Sequence, residues 1–580
     1  MALKLKITKS IDFYINEFSK LQRRRKRADA RGESSKHTEV SAEEALGYVL
    51  KLTIKNAKLP VRSEFKEIGH DTVSRRLGTM EDIREELRKS FDELKWVLME
   101  VDNLPDEELA SQYHFKTGTY IITGAVLAAD VHKEFLQSIN TFCDVHGAQL
   151  LVLPVRSPMD RLQRSLNSLY SIPSNMLIVN EDITLGKFFH VSPLKISAKF
   201  LNPTQGAIRR VANKKGSFIF GSPKQHLRVV SKTRQGAIPS VIMTSGVLTK
   251  PSYFGAMYTE ERLSAIAEAD HTVGAIIVNI DKSGYFSFRQ IQALSSGSFV
   301  DLGVKYTPDG VERAETRAFV MGDVHTGEED PSAVQQNLEL MEALRPETLF
   351  LHDLFNGKSI NPHERKKAVT RMRTFKKHGI SLESELALLR QFLEKVDGTA
   401  PEINIVNSNH DEFLTRYLES GDWIKDPQNG RLCLKLVEAL LDNDDNHPVL
   451  ADAVSTAGLK STIRWLGANE DYIIEGIQMA AHGHLGPTGS RGTVSNLEQT
   501  YVNYFGGHTH SPSILRGGWR VGTASLLDLD YKQGPDAWLH ASGTVSEEGT
   551  RQLFLFIHEE SAAQLIAQRE VALKRIKKGS

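Results

Sequence analysis

Apolar and amphipathic stretches alternate along the middle of the chain. The apolar run TYIITGAVLA (119–128) precedes a stretch with apolar residues at helical spacing (129–147), and a second apolar run, AQLLVLPV, follows at 148–155. This order is typical of a strand, a crossover helix and a parallel strand. Three more apolar runs predict further strands: MLIVN (176–180), SVIMTSG (240–246) and VGAIIVNI (273–280). We therefore expect an α/β middle domain, of unknown role, over residues 116–312.

The first 115 residues have a different pattern, helical and charged. A basic run, KLQRRRKRADARGESSKH, occupies residues 20–37, and RSEFKEI, a turn at Gly69 and TVSRRLG follow within residues 59–89. Two short helices joined at a glycine resemble the helix–turn–helix units attached to phage and homing-type nucleases. That resemblance would direct four side chains to DNA: Thr72, Ser74, Arg75 and Arg76.

Each N-terminal feature also has a simpler interpretation. The basic run is either a phosphate-contacting arm or a solvated helix end with a loose linker. The pair Arg75 and Arg76 either contacts DNA or keeps a plain helical hairpin soluble. In the middle domain, GSFIFGSP and TSGVLTKP lack Walker or Rossmann spacing, which favours ordinary turns over phosphate cradles. Three scattered histidines there are interpreted as structural or surface residues: His190, His226 and His271.

Composition narrows the class of protein. The 580 residues correspond to roughly three to four domains, and 72 basic residues balance 72 acidic ones. The net charge therefore does not indicate a nucleic-acid partner, and only local patches of basic residues could indicate one. The two cysteines, Cys143 and Cys433, lie far apart and suggest neither a disulfide framework nor a zinc knuckle. Without a signal-like N-terminus or a run of about 20 apolar residues, we expect a cytoplasmic protein that does not enter membranes.

Polar residues suited to metal binding follow five successive apolar runs after residue 312. The five segments are GDVHTG (322–327), HDLFNG (352–357), SNHDE (408–412), HGH (482–484) and GHTH (507–510). Ligand sites of open α/β folds lie beyond the carboxyl ends of the strands, so five such loops can converge. One DxH or HxH alone is more often a surface loop, and SNHD alone could cap a helix. The conjunction of all five favours a single site.

The candidate ligands in these segments are carboxylates, imidazoles and one amide, without a thiolate. Such a set suits manganese, iron or zinc better than calcium. Seven candidate ligands exceed the needs of one ion, whereas two ions about 4 Å apart that share a carboxylate account for the number. We therefore expect two divalent ions, with Mn2+ the first choice and Fe2+, Zn2+ or Mg2+ as alternatives.

In this order, the five motifs resemble the calcineurin-like metallophosphoesterases over roughly residues 315–560. The resemblance implies a C-terminal double β-sheet sandwich flanked by helices over residues 313–560. We expect the remaining residues, 561–580, to form a basic helix or tail. The resemblance also implies the following ligand sets: Asp323, His325 and His510 for one ion, Asp353 as the bridge, and Asn409, His482 and His508 for the other ion. By the same resemblance, His410 would stabilise the transition state and protonate the leaving group, and Asp411 would orient His410.

The chain departs from the family pattern at three positions. His352 stands where the family's second motif has glycine, Asn356 replaces its second aspartate, and Ser408 replaces the glycine that opens the third motif. Asp353 remains, so we still expect metal binding. His484 could compete with His482 as the ligand from the fourth motif, but the order His-Gly favours His482.

The substrate is indicated only by the insertions. The segment HERKKAVTRMRTFKKHG (363–379) is strongly basic and can form either a solvated helix or a track for DNA or RNA. In the second case, five side chains would contact the nucleic-acid backbone: Arg365, Lys366, Lys367, Arg371 and Arg373. The motifs also resemble the nuclease branch of the superfamily, typified by the SbcD-type exonuclease subunits. More broadly, the chain resembles large early proteins of tailed phages that degrade host DNA.

These features together predict a two-metal DNase with little sequence preference, because nothing in the chain reads as a code for base recognition. Two alternatives stay open: a metallophosphatase for a small metabolite or a phosphoprotein, and a DNA-binding regulator with a vestigial metal site. A homo-oligomer, or a complex with another protein, is plausible because long segments of the chain contain no candidate catalytic or metal-binding residues. Phage origin would place the protein in the host cytoplasm.

Overall fold

The computed structural model describes a defined part of the chain: residues 11–30, 39–56, 70–77, 83, 87, 117–126, 129–155, 177–179, 182–186, 189–194, 196–204, 216–231, 239–253, 261–363, 367, 369, 372, 381–443, 447–529 and 534–579. Four of the residues predicted to contact nucleic acid lie outside this part: Arg365, Lys366, Arg371 and Arg373. The same holds for most of the basic segment 363–379 and for the first helix of the predicted helix–turn–helix, residues 62–68. Lys367 is described and exposed.

The described helices are α1 (Ile11–Ala30), α2 (Ala42–Asn56), α3 (His70–Leu77), α4 (Lys133–His146), α5 (Glu261–Ala269), α6 (Pro331–Leu344), α7 (Leu382–Val396), α8 (Glu412–Glu419), α9 (Gly430–Asp442), α10 (Leu450–Ala453), α11 (Val494–Tyr501) and α12 (Ser561–Gly579). Two 3-10 turns lie at Asp422–Lys425 and Pro487–Gly489. No helix in this part of the chain has a stretch long and apolar enough to cross a bilayer.

The first twelve described strands are β1 (Gly118–Val126), β2 (Gln149–Val155), β3 (Leu177–Ile178), β4 (Ile183–Leu185), β5 (Phe189–Ser192), β6 (Ser217–Phe220), β7 (His226–Val230), β8 (Ser240–Thr244), β9 (Gly274–Ile280), β10 (Phe286–Gln292), β11 (Phe299–Asp301) and β12 (Val304–Tyr306). The other twelve are β13 (Val311–Arg313), β14 (Thr316–Val320), β15 (Thr348–Leu351), β16 (Glu402–Ile405), β17 (Thr462–Trp465), β18 (Ile473–Ile474), β19 (Ile477–Gln478), β20 (Tyr504–Gly506), β21 (Ser513–Leu515), β22 (Gly518–Arg520), β23 (Ala541–Ser546) and β24 (Arg551–Leu555).

Helices α1 to α3 belong to one compact unit, and the elements from β1 onward form a second. Within the first unit, Tyr14 and Phe18 of α1 are buried, and the rings of Phe18 and Tyr48 lie 4.9 Å apart. The two helices approach closely at Gly47, where a Cβ atom would lie 1.9 Å from the Tyr14 carbonyl oxygen. A side chain at this position would therefore force the helices apart.

The second predicted helix of the helix–turn–helix motif is present as α3. Arg75 and Arg76 lie in its last turn and are exposed, and Arg76 Nη2 donates to Glu39 Oε1 at 2.9 Å. Both arginines thus belong to the N-terminal unit, where their contact with DNA stays a prediction.

The second unit is a mixed α/β structure, as expected from the pattern of apolar runs. The predicted strand–helix–strand at 119–155 is confirmed: β1 and β2 pair in parallel, with Tyr120 opposite Gln149, and α4 connects them. They belong to a five-stranded sheet in the order β10-β9-β1-β2-β3. Strands β11, β12 and β13, which follow β10 along the chain, form a small antiparallel sheet.

A six-stranded sheet carries the first three candidate motifs. Its order is β17-β16-β15-β14-β23-β24, and β14 to β17 are parallel. The residues of β14 alternate between two cores: Phe319 packs among apolar side chains of α6 and α7, whereas Ala318 and Val320 share a core with Trp519. Because successive strand residues point to opposite faces, this sheet is covered on both sides.

A ten-stranded sheet unites two segments that we had predicted as separate domains. Its order is β18-β19-β20-β22-β21-β7-β8-β6-β5-β4, so strands from before and after residue 312 lie in one sheet. The junction is an antiparallel pair of β7 and β21, with Leu227 opposite Ile514. The predicted boundary at 312/313 therefore does not separate two compact units, since backbone hydrogen bonds and a common core cross it.

The C-terminal segment predicted as a basic helix or tail is the helix α12, and it is packed rather than free. Ala562, Leu565 and Ala572 are buried, and the Ala562 N–H donates to the side chain of Gln336 on α6. Two of the histidines interpreted as structural are likewise held inside the second unit. His226 is buried, and the His271 ring contacts the Tyr253 hydroxyl and the Thr249 carbonyl at 2.8 Å each.

Candidate metal centre

Three of the five predicted loops leave the same edge of the six-stranded sheet. Strands β14, β15 and β16 are parallel neighbours, and their carboxyl ends are followed by Asp323, Asp353 and Asn409 respectively. The loops are also bonded to one another, because the His325 N–H donates to the Asp353 carbonyl at 2.8 Å. Parallel pairing therefore brings residues that lie far apart in sequence to one place.

The other two loops come from the ten-stranded sheet. Strands β19 and β20 are parallel neighbours, and His482 and His508 follow them. The Gly507 N–H donates to the His482 carbonyl at 2.8 Å, and the His508 N–H donates to Asp323 Oδ2 at 2.8 Å. The last bond connects the loop of one sheet to a predicted metal ligand of the other, so the edges of the two sheets meet at these residues.

The predicted ligands form two groups that share one carboxylate. In the first group, ligand atoms of His325, Asp353 and His510 all lie within 4.8 Å of one another, and in the second group the same holds for Asp353, His482 and His508. Asp353 Oδ2 lies 3.5 Å from His325 Nε2 and 3.3 Å from His482 Nε2. Asp353 is thus the residue common to both candidate groups, as expected for the predicted bridge.

Asp323 borders the first group, with its Oδ2 at 3.4 Å from His510 Nε2. The ring of His510 also lies 4.3 Å from that of Trp538, in an edge-to-face arrangement. Asn409 lies on the loop after β16, between the buried Ser408 and the partly buried His410. Its assignment as a ligand of the second ion stays a prediction.

The backbone is strained where the ligands sit. His325, Asp353, His508 and His510 have φ angles of 52°, 45°, 80° and 54°. Residues with a side chain rarely adopt this left-handed conformation, and each instance costs of order 1–3 kcal/mol. Strain at four predicted ligands indicates that the fold holds these side chains for a purpose other than its own stability.

Burial and mutual charge set the protonation of the site. Burial raises the pKa of Asp353, but the neighbouring imidazoles, His482 foremost, outweigh it and hold the pKa well below the ordinary value. Burial and the Asp353 charge raise the pKa of Asp323 well above its ordinary value. Burial lowers the pKa of His508 to about 4 and that of His510 to about 3. At His508 and His510 the neutral imidazole, the form that binds metals, is therefore the stable form near pH 7.

The donor atoms of the site also fit a pair of metal ions. Each of the seven predicted ligands has a buried nitrogen or oxygen to which the described part of the chain offers no hydrogen-bond partner: Asp323 Oδ1, His325 Nδ1, Asp353 Oδ1, Asn409 Oδ1, His482 Nε2, His508 Nδ1 and His510 Nδ1. Leaving a polar atom in this state costs about 1–3 kcal/mol. Coordination of a cation would compensate those of the atoms that face the centre, among them His482 Nε2 beside Asp353 Oδ2. The nitrogen and oxygen donors suit manganese, iron or zinc.

His410 lies beside the two groups, as predicted. Its ring is 4.6 Å from the His325 ring, and its Nδ1 lies 2.9 Å from the Asn356 carbonyl oxygen. A carbonyl can only accept, so this nitrogen carries a proton. Nε2 is then the ring nitrogen through which His410 can exchange a proton with a substrate.

The role predicted for Asp411 needs correction. Its carboxylate accepts hydrogen bonds from the Phe355 N–H at 3.2 Å and the Ser408 hydroxyl at 2.8 Å, and it fastens the third loop to the second. The partner that orients the His410 ring is the Asn356 carbonyl. Burial, followed by the charge of Asp353, raises the pKa of Asp411 to about 8. Ser408, which departs from the family pattern, is thus a partner of Asp411.

The structure separates the two histidines of the fourth motif. His482 belongs to the second ligand group, whereas His484 Nε2 lies 3.2 Å from Glu412 Oε1, at the start of α8. Glu412 also forms an ion pair with Arg416. His482 is therefore the candidate ligand, and His484 lies at the rim.

Three further residues shape the site in roles that the sequence did not predict. Arg520 is buried and donates to the Gly483 carbonyl and the Tyr504 hydroxyl, each at 3.2 Å, which fixes the fourth loop. His352 contacts His482, and the Asn356 carbonyl contacts His410. His352 and Asn356 have a sequence signal, namely their departures from the family pattern, whereas Arg520 has none.

Comparison with known proteins gives one relative along most of the chain. No family model matches. The chain is 27% identical over 471 residues to "Protein A1" of Escherichia phage T5, which corresponds to 77% of this chain and 83% of that protein. The crystal structure of Chaetomium thermophilum Vps29 matches 34% of this chain and 95% of its own, at 11% identity and a TM-score of 0.20, which is too low to support a conclusion. The chain is thus similar to a phage protein.

Proposed function

We propose that this protein is a two-metal phosphodiesterase of the calcineurin-like type that hydrolyses DNA. The observation that carries the proposal is the pair of ligand groups joined by Asp353, with His410 beside them. Two bound divalent ions, most favourably Mn2+, would neutralise phosphate charge and make water a stronger nucleophile near neutral pH. Asp323, His325 and His510 would hold one ion, and Asn409, His482 and His508 the other.

The chain's own residues supply the rest of the chemistry. With Nδ1 bonded to the Asn356 carbonyl, His410 is oriented to pass a proton from Nε2 to the leaving oxygen. The neutral ligand imidazoles need lose no proton before they bind a cation. Asp411 and Arg520 hold the third and fourth loops in place, so the ligand positions are set before substrate binds.

A polynucleotide is the favoured substrate because cationic side chains border the site and occur in the N-terminal unit. Arg491 lies on a hairpin that follows the fourth motif, and its charge contributes, after burial, to the low pKa of His508. Further cationic side chains that could bind phosphate occur in the basic segment 363–379 and, in the N-terminal unit, at Arg75 and Arg76. With a phage protein as its relative, we propose the degradation of host DNA in the host cytoplasm.

Incubation of the purified chain with linear and covalently closed circular double-stranded DNA, with and without Mn2+, tests the activity. We expect hydrolysis of at least one form only with the ion. Shortening of end-labelled linear DNA alone would indicate exonuclease action, and nicking of the circle would indicate endonuclease action. Release of phosphate from nucleotides or phosphopeptides, with both DNA forms intact, would replace the proposal by a phosphatase. No turnover of any ester would leave a DNA-binding regulator.

Arg491 provides a further prediction about DNA binding. Two contacts hold its hairpin: Leu485 and Arg491 form an antiparallel bridge, and the Arg491 carbonyl accepts from the Asn496 side chain at 3.0 Å. We expect Arg491→Gln to weaken binding of double-stranded DNA in the presence of a chelator. The slope of log affinity against log salt should fall by about 1, as for one lost phosphate contact. Arg491→Lys should keep most of the slope.

An arginine elsewhere on the surface serves as the matched control for that measurement. Arg431 on α9 is exposed, and Arg431→Gln removes the same charge. An equal loss of slope in Arg431→Gln and Arg491→Gln would indicate a general charge effect and would contradict a specific contact at the hairpin.

A further inference from the structure

His352 occupies a position that the metallophosphoesterase pattern leaves to glycine. It follows β15 directly and precedes the shared carboxylate Asp353, and its side chain is fully buried. A buried imidazole beside a predicted metal bridge needs a reason, because glycine would leave the strand end intact.

The ring of His352 is paired with the ring of His482. Their Nδ1 atoms lie 3.3 Å apart, and the rings are nearly parallel, with centroids separated by 5.4 Å. Two imidazole nitrogens at this distance share a single proton, which one of them donates. The other nitrogen of His482, Nε2, lies 3.3 Å from Asp353 Oδ2, inside the second ligand group.

Metal coordination decides which ring donates. If Nε2 of His482 offers its lone pair to an ion, its proton must be on Nδ1. The acceptor is then Nδ1 of His352, whose own proton is on Nε2. Metal-bound histidines commonly donate their second N–H to a nearby acceptor, which fixes the tautomer and the ring orientation.

His352 is itself held by two other loops. Its carbonyl accepts from the Val324 N–H at 3.0 Å, in the first motif. Gly507, in the fifth motif, leaves the room that the side chain needs: a Cβ there would lie 3.3 Å from the His352 Cβ and 2.1 Å from Asp323 Oδ1. The acceptor for His482 is therefore positioned by the same loops that carry ligands.

We propose that His352 is a positioning residue for the second metal site, where it accepts the Nδ1 proton of His482 and fixes Nε2 toward the ion. The inference rests on the proposed two-metal centre but not on DNA as the substrate. His352 touches neither ion nor substrate in this role. It acts on the affinity of one of the two sites.

Two substitutions at His352 separate hydrogen bonding from packing. His352→Asn keeps an acceptor oxygen at the place of Nδ1, whereas His352→Leu puts a methyl group there. By calorimetric titration with Mn2+ alone, the parent should bind two ions. We expect His352→Leu to keep one site and to weaken the other by about 10- to 100-fold. His352→Asn should stay within a few-fold of the parent at both sites.

The EPR spectrum of bound Mn2+ gives an independent readout. Two ions bridged by a carboxylate are exchange-coupled in the parent, and at the same metal concentration His352→Leu should show a single uncoupled ion. His271→Leu is the control, because it also removes two ring contacts from a histidine, those with Tyr253 and Thr249, and should keep the coupled spectrum. Parental affinities in His352→Leu, or equal losses in His352→Asn and His352→Leu, would overturn the proposal.

If His352→Leu fails to fold, NMR spectra of the parent and of His352→Asn provide the test instead. With Zn2+ bound and the histidines labelled with 15N, one metal-bound ring should carry its proton on Nδ1 and change its Nδ1 resonance in His352→Asn. A proton on Nε2 of His482 would exclude the proposed role. If the parent binds two ions but leaves DNA intact, the proposed function fails while the role of His352 is still decided by these data.

Discussion

Asp353→Asn should abolish DNA hydrolysis, with a loss of about 1000-fold or more, equivalent to about 4 kcal/mol of transition-state stabilisation. Asp353 is the one residue common to both ligand groups. The amide removes the negative charge that His482, His410 and His325 surround, and it leaves a single oxygen to serve two ions. The variant is nearly isosteric, so the loss should come from the metal centre rather than from the fold.

Initial rates on double-stranded DNA, measured at saturating Mn2+ with circular dichroism to check folding, provide the test. Asp330→Asn is a matched control, because Asp330 caps α6 through its side chain and asparagine is an equally good cap. We expect the control to stay within about two-fold of the parent. Hydrolysis by Asp353→Asn at the parental rate would show that the bridge has been wrongly assigned.

His410→Gln should have the second largest effect, a decrease in kcat on DNA of about 100- to 10000-fold. DNA hydrolysis expels an alkoxide, which leaves poorly unless it receives a proton. Glutamine keeps a polar side chain of similar length but cannot transfer a proton. His410 is anchored through the Asn356 carbonyl, so a proton is available only from Nε2.

The leaving group distinguishes proton transfer from a structural effect of His410→Gln. On bis(p-nitrophenyl) phosphate, whose nitrophenolate leaves without protonation, the variant should approach the parental rate. An equal loss on DNA and on the activated ester would contradict a role as general acid. It would favour stabilisation of phosphate charge instead.

The convergence of the candidate metal ligands was predictable because local sequence and local topology agree. Asp323, Asp353 and Asn409 each follow an apolar run, and parallel strands place the ends of such runs along one edge. The order of donors along the chain was therefore enough to indicate a common site. The left-handed backbone conformation at Asp353 and His508 could not be predicted from the sequence. Glycine is the residue type that indicates this conformation, and neither position is glycine.

Contacts made through the backbone or across long sequence separations were not predictable. The pairing of β7 with β21 joins residues about 290 positions apart, and the apolar runs of both strands fit many partners equally well. The family resemblance assigned Asp411 the role of orienting His410, yet the contact comes from the Asn356 carbonyl, a backbone group that every residue possesses. The pairing of His352 with His482 likewise depends on how two sheets meet.

Metal analysis of the purified chain tests the central claim most directly. Protein prepared without chelator, then equilibrated with Mn2+ and freed of excess ion, should retain two ions per chain, and Asp353→Asn should retain at most one. The bound pair should be exchange-coupled by EPR, since both ligand groups contain Asp353. A chain that retains no manganese, or an equal content of ions in the parent and in Asp353→Asn, would contradict a two-metal centre at this site.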